Sequence, residues 1–131
     1  MRDILFQGKE VKKDDPYDFS DWIVGLPLYG PNDEDKISFI YNPYFGAREV
    51  IPESVGEYTG VRDSRSVRIF EHDIVKPTPN SDLRFIVEYD EHNCCFVLAS
   101  VENKSIKFPL SSQLAKECII VGNLFDEEEN K

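Results

Sequence analysis

Short runs of β-branched and aromatic residues recur about every 10–12 residues along this chain, each closed off by glycine, proline or small polar residues. No segment holds the apolar spacing of a helix for more than about two turns. That rhythm points to a small all-β barrel or sandwich and away from α/β architectures. A length of 131 residues fits one ordinary domain, or a domain with a small appendage. With 40% apolar and 12% aromatic residues, such a chain fills a core without disulfide staples.

Along the chain, residues 3–6 and 10–11 read as a first strand turning near Gly8, and Lys12 to Pro16 as a polar loop. Trp22 to Leu26 is a strand candidate. Pro27, Gly30, Pro31 and the acidic run Asp33-Glu34-Asp35 read as a surface loop. Ile37 to Tyr41 restores alternation until Asn42-Pro43 breaks it, and Arg48 to Ile51 is a short extended piece stopped by Pro52. Val67 to Phe70 is a strand, Glu71-His72-Asp73 a tight connection, and Pro77 to Asp82 the strongest loop signal. Phe85 to Tyr89 and Cys94 to Ala99 form a hairpin around a four-residue turn. The second of these strands is apolar on both faces, so it is expected to lie centrally. Ser111 to Glu117 holds one or two helical turns, Cys118 to Leu124 a last strand, and Asp126 to Lys131 an acidic frayed tail.

Several of these stretches resemble the YopX family of phage and prophage proteins. Ile4-Leu5-Phe6-Gln7-Gly8-Lys9 is similar to that family's I-x-F-R-G-K, and Trp22-Ile23-Val24-Gly25 to W-V-Y-G. The most distinctive block is Ile51 to Asp63, close to V-x-P-E-T-V-G-Q-Y-T-G-L-K-D. Ile69 to Val75 resembles I-F-E-G-D-I-V, and Ile120 to Asp126 resembles V-I-G-N-I-Y-D/E. His72 stands where the family has Gly, which argues against a positive φ at that corner. Arg65-Ser66 replaces a common Asn-Gly, so the turn there is expected to differ from type I′. The resemblance implies an SH3-like barrel over residues 57–131, with an additional N-terminal β region over 1–56 packed on it. It also implies a phage or prophage setting, and it supplies no activity to carry over.

The formal net charge is −10, which disfavours nucleic acid as a general partner. The stretch Met1–Lys9 has no long apolar core, and no run nears the ~18 apolar residues of a membrane span. The cytoplasm of a bacterial host is therefore the expected location, with no membrane partner. Three cysteines form no disulfide framework. His72, Asp73, His92, Cys94 and Cys95 are the available metal ligands, but adjacent Cys94 and Cys95 point to opposite faces of a strand. Glu71 and Asp73 share a strand end, which a turn explains more simply than acid–base chemistry. No catalytic, cofactor or metal residue is expected. Arg62, Arg65 and Arg68, with Tyr58 and Phe70 as stacking surfaces, form a candidate interaction patch. The N-terminal region carries Trp22, Leu28, Tyr29, Phe39, Tyr41, Tyr44 and Phe45, more large apolar side chains than its own core needs. The expected role is a non-enzymatic phage accessory protein, a protein-interaction module that also self-associates. A nucleic-acid-linked role, through the arginines or as an acidic mimic, is the alternative, and an unrecognised enzyme the second.

Overall fold

The computed structural model describes residues 3–11, 21–31 and 33–129; the expected Lys12–Pro16 loop lies outside them. The strands form two antiparallel sheets, ordered β4-β3-β2-β1-β5-β6 and β10-β9-β8-β7-β11, and neither closes on itself through strand pairing among the described residues. The fold is all-β with two short helices. The chain divides into two compact units, Met1–Glu57 and Tyr58–Lys131.

The first unit holds β1 (Phe6–Lys9), β2 (Trp22–Gly30), β3 (Asp33–Asn42), β4 (Gly46–Glu49) and a 3₁₀ turn at Pro52–Ser54. Its core is small: Ile23, Ile40 and Val50, with Phe6, Ile37 and Val55 packed around them. Such a core closes only where backbones approach closely. A methyl group at Gly25 would overlap the Tyr41 carbonyl oxygen, and one at Gly8 would press on Val50 at 3.0 Å. The Ser54 hydroxyl accepts a bond from Lys9 N–H (2.8 Å) and donates to Ile51 O (2.6 Å), fastening the 3₁₀ turn to β1.

Two sequence expectations are corrected here. β2 does not stop at Pro27 but runs to Gly30, and β3 already begins at Asp33, so the acidic run lies in a strand. Proline is tolerated because β1 pairs only as far as Gly25. Beyond that point β2 has β3 as its single neighbour, and an edge segment can spare a donor.

The second unit begins within β5 (Gly56–Arg62), whose first residues pair with β1 and whose later ones pair with β6 (Arg68–Phe70). A bulge at Gly60, φ +91°, interrupts that ladder, and the Thr59 hydroxyl bridges it by donating to Ile69 O at 2.8 Å. There follow β7 (Asp73–Lys76), β8 (Phe85–Asp90), β9 (Cys95–Ser100), β10 (Lys107–Pro109), α1 (Ser112–Ala115), β11 (Ile119–Asn123) and α2 (Leu124–Glu129). The expected β8–β9 hairpin is present; β8 holds the middle of the sheet, and β9 lies inside it between β8 and the short edge strand β10, buried on both faces at Val97, Leu98 and Ala99. The core gathers Ile69, Val75, Phe85, Val87, Leu98, Ala115 and Cys118.

Three further corrections fall in this unit. His72 does adopt a positive φ, +78°. Its N–H donates to Val87 O and its carbonyl accepts from Leu124 N–H, so the corner is held from both sides. Cys94 belongs to the turn before β9, at φ +55°, rather than to the strand. Leu124–Glu129 forms a helix where the last strand was expected to reach Leu124 and a frayed tail to start at Asp126, and the Asn123 side chain caps it by accepting from Phe125 N–H at 2.9 Å. The 63–66 turn differs from type I′ as expected: among its residues Ser66 alone has positive φ, +64°.

Candidate functional site

Asp63 organises the arginine segment. Its side chain is fully buried and accepts from Arg65 N–H (2.8 Å), Val67 N–H (2.9 Å) and Ile120 N–H (3.1 Å). Burial pushes its carboxyl up, but those three N–H groups and the Arg65 guanidinium outweigh it and hold the carboxyl below its usual range. Arg65 donates to Ile120 O at 2.7 Å, and Ser64 N–H donates to Cys118 O at 2.8 Å. The β5–β6 hairpin tip thus covers the outer edge of β11. Of the other patch residues, Arg62 donates to Ser66 O at 2.8 Å and Arg68 lies over the Tyr58 ring at 5.7 Å. Tyr58 and Phe70 are buried, their ring centroids 5.6 Å apart.

The metal candidates do not converge: no group of three or more His, Cys, Asp or Glu side chains that could hold an ion occurs among the described residues. The Asp73 carboxylate accepts from Phe70 N–H (2.9 Å) and Asn123 Nδ2 (3.1 Å). His72 packs edge-on against Phe125 at 5.2 Å. His92 lies in an exposed turn whose N–H is held by Asp90. Cys118 is buried in the core, where desolvation first, then Glu117 and Asp63, pushes its thiol up and leaves it unreactive.

The second unit also contains an open apolar groove of about 320 Å³, lined by Pro77, Leu83, Phe85, Leu98, Phe108 and Leu114. Phe85 and Leu98 belong to the core, and the Phe108 ring meets Phe85 edge-on at 6.0 Å. Leu83 and Phe108 remain 52% and 49% exposed. The groove is the mouth of the core between β10, α1 and the loop before β8. None of its lining side chains titrates or donates a hydrogen bond. Sequence reasoning missed it because the lining comes from five separate segments with no local pattern.

The edges of β10 and β4 are poor alternatives. In β10, Leu110 N–H and Ile106 O bond to β9, so Lys107 and Pro109 face outward, and Pro109 has no N–H to offer. In β4, Ala47 and Glu49 face outward, and Glu49 O already accepts from Val11 N–H at 3.0 Å. Register places Leu26 beside Tyr41 and Leu28 beside Phe39, giving β2 and β3 an apolar outer face. Leu26, Leu28, Tyr29, Tyr41, Tyr44 and Phe45 are all exposed in the first unit.

No helix among the described residues is long and apolar enough to cross a membrane. No curated protein matches the sequence. The YopX protein family model matches residues 6–129. Residues in the stretches that carry the resemblance have structural work: Gly8 and Gly25 permit close approach, Ser54 holds β1, Thr59 and Gly60 make the bulge, and Asp73 bonds Asn123. Matched over nearly its whole length, the chain belongs to the YopX protein family.

Proposed function

We propose that this protein is a non-enzymatic interaction module that receives an apolar side chain of a partner polypeptide in the groove between Leu83 and Phe108. The carrying observation is the lining itself. Sites for small substrates add a few placed polar groups to an apolar wall, and here all six lining residues are apolar. A pocket of that kind holds an anchor residue; it does not orient a reacting bond. The capped or blunted edges of β11, β10 and β4 favour this mode over strand addition. We read the outer face of β2 and β3 as a second contact surface, through which copies of the chain associate.

We also read the second unit as an SH3-like barrel. Its support is the winding: a meander β7-β8-β9-β10, one helical turn, and a last strand returning beside β7. Asp63 and Arg65 bridge the hairpin tip to β11 where strand pairing does not. The setting that goes with this reading is a bacterial cytoplasm, with the protein acting as an accessory of a phage or prophage.

Affinity capture from host lysate, nuclease-treated and untreated, tests the groove, with wild type and a Leu83→Ser/Phe108→Ser variant in parallel. The expected result is a host or phage protein retained by wild type and lost with the variant. Equal retention by both overturns the groove. Retention that vanishes on nuclease treatment moves the role to nucleic acid.

A further inference from the structure

Arg62 and Arg68 stand directly opposite each other on β5 and β6. Like charges at opposed positions of a hairpin repel. On a chain with 25 acidic and 15 basic residues, a neutralising carboxylate would be easy to supply. Yet among the described residues neither Arg62 nor Arg68 is ion-paired with one. Arg68 Nε is shielded from solvent and has no acceptor. It is the one such buried side-chain donor or acceptor among the described residues, and a donor in that state calls for a group that completes it. The Tyr58 ring lies 5.7 Å from the Arg68 guanidinium and occupies one side of it.

Resting on the interaction-module reading, we propose that Arg62 and Arg68 form a receptor for a single carboxylate side chain of a partner protein. A forked guanidinium matches carboxylate and phosphate alike, so the choice turns on what surrounds the pair. Arg65, which would extend the pair into a track along a phosphate backbone, is already paired with the Asp63 carboxylate, whereas Arg62 gives one N–H to Ser66 O and keeps the rest of its fork. What remains is a place for one oxyanion. The net charge of −10 repels a polyphosphate along its whole length, whereas one carboxylate carried by a partner meets the two arginines and little else.

The test follows arginine Nε–H resonances of the full-length protein by NMR during titration with an end-capped peptide whose single charge is one glutamate side chain. Inorganic phosphate and a single-stranded oligonucleotide serve as parallel arms. The expected result is a saturable shift and slowed exchange of Arg68 Nε–H with the peptide. Arg68→Gln should weaken binding about tenfold, and Arg68→Lys by less. Because Arg68 is partly buried, the exposed Arg62→Gln variant provides the same reading where Arg68→Gln unfolds. No saturable response to the peptide overturns the proposal. A response to phosphate or oligonucleotide equal to or above that to the peptide overturns its assignment to a carboxylate. The Leu83→Ser/Phe108→Ser variant should keep the peptide response, so failure here and failure of the groove are separate results.

Discussion

The two units solve the same problem with different means. The first has a small core and closes it by bringing backbones together, at Gly8 against Val50 and Gly25 against Tyr41. The second has a larger core and fastens its periphery with buried polar groups, Asp63 on β11 and Asp73 on Asn123. A small core leaves no slack in volume, so the first unit is vulnerable to one added methyl group. A larger core tolerates volume but depends on the polar groups that hold its last strand, so the second is vulnerable to a lost acceptor.

The largest break in that contrast is Gly25→Ala. The new methyl group meets backbone rather than a flexible side chain, so β2 and β3 must separate. We expect a loss of about 4 kcal/mol or more, seen in urea unfolding, with amide protection lost in β2 and β3 and retained in β8 and β9.

Asp63→Asn probes the other side and should cost about 2–3 kcal/mol. An asparagine oxygen can still accept from Arg65 and Val67 N–H, but its amide then faces Ile120 N–H, donor against donor. Hydrogen exchange at Ile120 should rise first. The pH dependence has a definite sign. The folded-state carboxyl of Asp63 lies below its ordinary value of 3.8. Its stabilisation is therefore fully present above that value and is lost as pH falls through the lower folded one. Acid titration of wild type should show this loss, and Asp63→Asn should remove it.

The smallest effect is a gain. Ser66 sits at φ +64°, where a Cβ is strained, and its backbone bonds to Asp63 and Arg62 survive substitution. Ser66→Gly should stabilise the second unit by about 0.5–1 kcal/mol in thermal unfolding, leaving the amide protection of β2 and β3 unchanged.

Strand content, the β8–β9 hairpin and the burial of β9 on both faces were legible in the sequence because they rest on local pattern: alternation, turn residues, a doubly apolar run. The extent of β2 was not. Pro27 reads as a breaker unless one knows that pairing with β1 stops at Gly25 and leaves an edge beyond it. His72 illustrates a second limit. Its residue type argues against positive φ, but bonds to Val87 and Leu124, distant in sequence, impose it. The arginine segment was visible as a cluster, yet which arginine is engaged depends on Ile120, 55 residues from Arg65. The groove was invisible, since Leu83 and Phe108 are ordinary apolar residues until a fold leaves them half-covered side by side.

The Asp63 bridge to β11 also fixes an order of events in time. The bond to Ile120 spans 57 residues and the Asp73–Asn123 bond spans 50, so both belong to the slow, non-local contacts of a folding chain. While the chain is being synthesised, β1 to β4 can pair as soon as they emerge, because their partners are near in sequence. One flank of β7 must wait, unpaired, until Ile119–Asn123 has been made. Through that interval the hairpin tip has nothing to clasp and β7 is an open template for other chains. The interval ends when a few residues near position 120 arrive and cover two exposed edges at once.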